Sequence, residues 1–274
     1  MKYPICLLCF TMFVSSAHAQ YYYKDLLVPA QAGVQVQLYK KQHIKVITLH
    51  SFESTGEATE NFKGTVSVDQ QFTRLITTLE SPIGGASVLT SKFNEAGYLL
   101  STADTTDGSG STTTYLIKEN GTPLKVTNRA ISAGGRQELE EHNWMYKNNL
   151  PQSMLRIKNT TDTTFVRFVA DEKGNVAEEN STRNGLIIPS YYYYYDENNR
   201  LTDIVSYNIK AKRLLPAYVF DYNEDGSLKS MMVVPEGSSD YQKWYYEYEQ
   251  GLKVKETVFN KKKQLLGTIK YDYE

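Results

Sequence analysis

The chain predicts an all-β fold: an antiparallel meander of β-hairpin repeats forming a long curved or spiralling sheet, barrel-like if its ends meet. Three observations predict it. The stretch Tyr191-Tyr192-Tyr193-Tyr194-Tyr195-Asp196-Glu197-Asn198-Asn199-Arg200-Leu201-Thr202 reads as an aromatic strand, a polar turn, and a strand restarting on an aliphatic residue. The same pattern recurs around Gly97, Gly121, Asn149, Gly174, Asn199, Gly226 and Gly251, at steps of 24 to 28 residues. Steps that regular are the mark of an array. The 22 tyrosines against 10 phenylalanines suit a pleated surface, apolar along the ring and wet at the hydroxyl.

The first 19 residues read as a secretory signal peptide. Lys2 supplies the positive start, residues 5–14 a short apolar run, and Ala17-His18-Ala19 a small-x-small cleavage site. The run falls far short of the ~20 residues of a spanning helix. Cleavage after Ala19 removes both cysteines, Cys6 and Cys9, and with them any disulfide, thiolate metal site or cysteine nucleophile. A cysteine-free exported chain fits a secreted, periplasmic or cell-surface protein of a bacterium. Net charge is −1, so no overall basic excess calls for nucleic acid or an anionic membrane.

Residues 20–88 form a less regular, β-rich segment. Val34, Val36, Leu38 and Tyr39 fit a short helix or a strand over 31–41, and the helix is the reading preferred. Alternation over 43–52 predicts a strand, residues 53–61 a polar loop, and two further strands lie near 64–68 and 73–80. The array occupies 89–274. Gly, or Asn as its nearest substitute, stands where each turn needs positive φ. Rings at i and i+2 precede the turn, as at Tyr193 and Tyr195 or Tyr246 and Tyr248, and Leu201, Leu228 or Leu252 returns beside them. Such cross-strand pairs contribute roughly 0.2–1 kcal/mol each. Second turns between the repeats make each repeat two strands, about fourteen strands in this region at ordinary strand lengths. Rings on both parities of 191–195 require a strand covered on both faces, or a barrel wall. Charges such as Lys118, Arg167, Lys253 and Lys270 along the strands speak against a membrane-spanning barrel.

The hairpin 193–202 resembles the YD repeat of RHS-type proteins, in which an aromatic-x-Tyr-Asp turn precedes Gly-Arg-Leu. Residues 220–228 match more loosely, and Tyr271-Asp272-Tyr273 looks like a truncated copy. The likeness spans roughly 90–274. Asn199 replaces the turn glycine, several copies lack the Asp, and the spacing runs slightly long. The resemblance implies a sheet type and an exported or surface setting; the array is too short to wrap a cargo as the large RHS proteins do.

Chemistry-bearing motifs are sparse. Glu140-Glu141-His142 lacks metal-ligand spacing and reads as a solvated turn. Asp221-x-Asn223-x-Asp225-Gly226 matches half a calcium loop, but its twelfth position is Met232, so a plain hairpin turn explains it better. No catalytic residue, cofactor site or metal site is expected. Tyr192, Tyr194, Trp144 and Trp244 are the candidates for stacking on a saccharide or gripping a peptide; the plainer role for such rings is filling the sheet faces. The function expected is a non-enzymatic binding or structural protein of a bacterial envelope, its partner a saccharide, a peptide or another envelope protein. A glycan hydrolase with unrecognised carboxylates and a carrier of a hydrophobic ligand in a curved sheet are the alternatives.

Overall fold

A computed structural model describes residues 21–82, 84–208, 211–235, 238 and 240–274. The signal peptide expected at 1–19 lies outside them. Among the described residues one helix, α1 (Lys24–Gln42), precedes eighteen strands. These are β1 (Val46–Glu53), β2 (Lys63–Val68), β3 (Arg74–Ser81), β4 (Gly85–Phe93), β5 (Leu99–Thr106), β6 (Ser109–Ile117), β7 (Pro123–Ile131), β8 (Gln137–Lys147) and β9 (Leu150–Lys158). They continue with β10 (Asp162–Ala170), β11 (Val176–Arg183), β12 (Leu186–Tyr195), β13 (Leu201–Asn208), β14 (Arg213–Tyr222), β15 (Leu228–Val233), β16 (Gln242–Glu249), β17 (Leu252–Asn260) and β18 (Leu265–Tyr273). The helix covers more chain than the window 31–41. β4 runs through residue 88, so the strands before and after it belong to one sheet.

Every strand pairs antiparallel with its neighbours in sequence, and β1 pairs with β18 as well as β2. The register Ile47↔Tyr273 to Glu53↔Gly267 closes the meander into an 18-stranded barrel. Closure leaves no row of unpaired strand-edge amides.

Most of the repeat turns share one build. In the turn after β12, Asn199 N–H donates to the Asp196 carbonyl at 3.1 Å, and Asp196 N–H to the Arg200 carbonyl at 3.0 Å. The ladder shifts register at 194/195, where one residue bulges out. The same shift falls before the turns after β4, β6, β8, β10, β14 and β16. After β4, β6, β10, β12 and β14 this is a type I turn closed by a residue in the left-handed region, and after β8 and β16 a two-residue turn with both residues, Asn148-Asn149 and Gln250-Gly251, at positive φ; either build favours Gly or Asn there. Asn199 sits at φ 60° and Gly121 at φ 82°. A Cβ at Gly121 would lie 2.4 Å from the Tyr98 ring. Gly121→Ala is therefore expected to lower stability by about 1–3 kcal/mol, measured by urea unfolding.

The helix stops the end of the barrel that carries these turns. Asp25, Pro29, Ala32, Val36 and Tyr39 are its buried residues, a stripe at spacings of three and four. Ala32, Val36 and Tyr39 join Ile47, Leu49, Phe93, Leu99, Leu252 and Ile269 in one core. Gly33 brings the helix against the Gly97 carbonyl, which would lie 3.0 Å from an added Cβ. Gln37 Nε2 donates to the Ala96 carbonyl and Gln42 Nε2 to the Gln250 carbonyl, tying the helix to two turns. A second core collects Tyr21, Trp144, Met154, Val166, Phe168, Tyr191, Tyr193 and Ile204. Toward the opposite rim the inward positions turn polar, with Asp104, Ser111, Thr113 and Asn128 on β5 to β7.

The outward face mixes Thr, Ser and charged residues with separate apolar side chains such as Leu116, Met145, Phe165 and Tyr245. Cross-strand ion pairs lie on it: Lys125–Glu141 at 2.7 Å, Lys243–Asp221 at 3.1 Å and Lys255–Glu247 at 2.8 Å. A wall facing hydrocarbon carries a continuous apolar band instead. Among the described residues, no helix is long and apolar enough to cross a membrane.

Candidate functional site

The densest chemistry lies inside the barrel, where the start of α1 meets β8 to β12. Strand alternation points Glu140, His142, Trp144 and Tyr146 inward from β8. His142 is paired with Arg156 of β9 in the ladder, Glu140 with Lys158 and Trp144 with Met154. His142 is 6% exposed, which corrects the expectation of a solvated turn. Its ring is buried because the strand aims it at the helix start rather than at solvent.

A chain of charged contacts runs from helix to rim. His142 Nδ1 lies 2.6 Å from Asp25 Oδ2, and Trp144 Nε1 donates to that same oxygen at 3.1 Å. His142 Nε2 lies 2.9 Å from Glu140 Oε1. Arg156 donates to Glu140 Oε2 at 2.7 Å and to Asp162 at 3.3 Å, and Arg183 grips Asp162 through two bonds of 2.8 Å. Burial alone would push the His142 imidazole down, but the Asp25 and Glu140 carboxylates outweigh it and raise its pKa to about 9. The ring is thus an imidazolium donating from both nitrogens. Burial would raise Glu140, yet His142 and Arg156 hold it at about 2.

Glu179 is the second anchor. It is 1% exposed and accepts the backbone N–H groups of Tyr22 and Tyr23, at 2.8–3.0 Å, and the Tyr193 hydroxyl at 2.8 Å. Burial pushes its pKa up to about 7, although these donors pull the other way. Lys24 lies in the same surroundings, its ammonium drawn down by burial against the pull of Asp25, Glu140 and Glu179. Two wall sites, Glu179 and the His142–Trp144 pair, therefore hold one helix end. Neither leaves a carboxylate facing a cleft.

The four candidate stacking residues divide by face. Trp144 and Trp244 are buried inside, Trp144 stacked on Phe168 with centroids 4.9 Å apart. Tyr191, Tyr193 and Tyr195 also point inward. Tyr192 and Tyr194 point outward, and Tyr194 is 49% exposed. With Lys173, Glu178 and Asp196 they line an open groove of about 540 Å³ on the outer wall. A neighbouring groove of about 550 Å³, lined by Arg200, Asp221, Lys243 and Tyr245, meets it at Asp196. Asp221 accepts from Ser230 and Lys243, while Asn223 and Asp225 both engage Ser227, so Asp221 is turned to other partners than the rest of the half calcium loop. No group of three metal-binding side chains occurs among the described residues.

No family model and no curated protein matches the chain. Solved structures resemble it weakly. A porin-like protein from Bacteroides uniformis aligns over 84% of this chain and 98% of its own, at 9% identity and TM-score 0.40. A porin-like protein from Bacteroides vulgatus covers 84% and 98%, at 12% identity and TM-score 0.27. A Tc holotoxin pore of Photorhabdus luminescens aligns over 84% of this chain, at 11% identity and TM-score 0.31. This chain spans only 17% of that toxin chain. Likenesses this faint bear on no activity.

Proposed function

We propose that this protein is an exported, non-enzymatic barrel of a bacterial envelope, stoppered by its own helix and binding a ligand on its outer wall. The observation that carries this reading is the division of labour among its side chains. The buried carboxylates Asp25 and Glu179 and the half-buried Glu140 are engaged in holding helix and wall together. The exposed ring of Tyr194 and the half-buried ring of Tyr192 stand beside Glu178 and Lys173 in an open groove. Rings that stack, beside charges that hydrogen-bond hydroxyls or amides, suit a saccharide or an extended peptide. The hairpins are read as degenerate YD repeats, whose Asp and Asn serve the turn.

A glycan hydrolase needs two carboxylates about 5–10 Å apart across a cleft. Glu140 is ion-paired and Glu179 enclosed, which favours the binding reading. A hydrophobic-ligand carrier needs an apolar cavity, where this lumen holds a helix and two packed cores. In a glycan and peptide array, Tyr192→Ala with Tyr194→Ala is expected to weaken capture roughly tenfold or more, at about 1–3 kcal/mol per lost stacking ring. Turnover of a captured glycan, or equal capture by the double variant, would overturn the reading.

A further inference from the structure

At three places among the described residues the protein holds one of its own cations in the same way, with an aromatic ring under the charge and a carboxylate beside it. Arg200 stands 4.7 Å from the Tyr222 ring centroid and donates to Asp196 at 2.7 Å. Lys243 lies 5.2 Å from the Tyr245 centroid and 3.1 Å from Asp221. Lys253 lies 4.6 Å from the Tyr271 centroid and 2.8 Å from Glu256. The ring face and the carboxylate both attract the cation, so the two reinforce each other.

The outer wall of β12 repeats this combination twice. Tyr192 is paired in the ladder with Glu178 of β11, and Tyr194 with Asp203 of β13. Residues directly opposite have Cβ atoms about 4.5–5.5 Å apart, so each ring has a carboxylate at its side. Among the described residues no lysine or arginine lies over either ring. Glu178 accepts from the Asn180 amide at 3.2 Å, and neither it nor Asp203 has an ion-pair partner among the described residues. The surroundings add to the negative charge. Asp171, Glu172, Glu178, Asp196, Glu197 and Asp203 stand along the groove and its two turns, against Lys173, Arg167 and Arg200, the last already paired with Asp196. Spacing then selects the form of the ligand. Tyr192 and Tyr194 share one face two residues apart, about 6.6–6.8 Å along the strand, and an extended peptide repeats its side chains on one face at that same distance. We infer that the groove takes an extended peptide with basic side chains at alternate positions, Lys-x-Lys or Arg-x-Arg, running along β12. One cation sits over Tyr192 beside Glu178, and the next over Tyr194 beside Asp203. Both flanks of β12 are paired, so side chains and not an added strand carry the recognition. The inference rests on the binding reading above and narrows its ligand to a cationic chain. A neutral saccharide would stack on the rings and leave both carboxylates without a counter-charge.

The test is fluorescence anisotropy with labelled, end-capped short peptides on a Gly-Ser background. A peptide carrying Lys-Ser-Lys is expected to bind at least roughly tenfold more tightly than the same peptide carrying Gln-Ser-Gln or Glu-Ser-Glu, and to be released by salt. It is also expected to bind more tightly than a peptide with the two lysines adjacent. Glu178→Gln with Asp203→Asn is expected to weaken capture of the Lys-Ser-Lys peptide roughly tenfold. Should that pair fail to fold, the peptide series decides alone. The inference is overturned if the Gln peptide or the adjacent-lysine peptide binds as well as Lys-Ser-Lys, or if the folded charge variant binds as the wild type does. It is also overturned if the glycan and peptide array yields only a saccharide whose capture Tyr192→Ala with Tyr194→Ala abolishes; the binding reading then stands without it. Capture of no array ligand and no peptide overturns both.

Discussion

Asp25→Ala is expected to destabilise the protein by about 3–5 kcal/mol, the usual cost of removing one partner from a buried ion pair. Asp25 Oδ2 is the acceptor for both His142 Nδ1 and Trp144 Nε1. Without it a buried imidazolium loses one of its two carboxylates, and the indole N–H loses its acceptor. The helix should loosen before the wall, because each strand keeps both its ladders. Urea unfolding measures the loss, and amide exchange locates it in residues 24–42. A loss below about 1 kcal/mol, or helix amides protected as in the wild type, would show that the core stripe alone holds the helix. Asp25→Asn keeps the acceptor and removes the charge. His142 should then titrate below its pKa of about 9, visible by NMR.

Stability is expected to fall by several kcal/mol as pH rises from about 4.5 to 9, because two buried groups hold their protons more tightly in the folded state. Glu179 moves from 4.5 to about 7. Between those values the folded chain keeps a proton that the unfolded chain has released, so raising the pH favours unfolding, by about 3 kcal/mol in all. His142 moves from 6.5 to about 9. Its contribution is complete below 6.5 and lost as the pH climbs through 9, again about 3 kcal/mol. The two share Asp25 as a neighbour, so their effects do not simply add. Glu140 acts in the opposite sense: held at about 2, it stabilises above its unfolded value of 4.5 and withdraws that support as acid protonates it. Maximum stability should therefore fall near pH 4.5, where Glu140 has gained its full effect and Glu179 has not yet begun to lose its own. Glu179→Gln should flatten the profile between 4.5 and 7 and leave the limb above 6.5 in place. A profile rising from pH 5 to 8 would contradict these assignments.

The hairpin array is legible in sequence because each turn is a local problem. A type I turn with a bulge needs one residue at positive φ, only Gly and Asn adopt it at low cost, and the strands between must be of similar length. Gly97, Gly121 and Asn199 therefore mark the spacing whatever the sheet does beyond them. The helix shows less clearly, because Val34 and Leu38 blur the stripe that Ala32, Val36 and Tyr39 form. The contact between wall and helix start is half legible in sequence. Glu140, His142, Trp144 and Tyr146 alternate along one strand face, which a reading of Glu140-Glu141-His142 as a turn overlooks. Its other half, Asp25 and the backbone of Tyr22 and Tyr23, lies more than a hundred residues away, and no local pattern connects them.

The sequence by itself determined the repeat: strand length, turn chemistry, and alternation of rings along 191–195, all set by backbone sterics within a few residues. Only the tertiary structure decided that the sheet closes, since Ile47 and Tyr273 meet through accumulated twist across eighteen strands. Closure in turn assigns the faces. It puts Tyr191, Tyr193 and Tyr195 inside and turns Tyr192 and Tyr194 to the outer wall, makes a histidine beside two glutamates a buried cation, and converts an N-terminal helix into the stopper of a barrel. Those outcomes depend on which distant side chains share one interior, and burial, not spacing along the chain, fixes their charge.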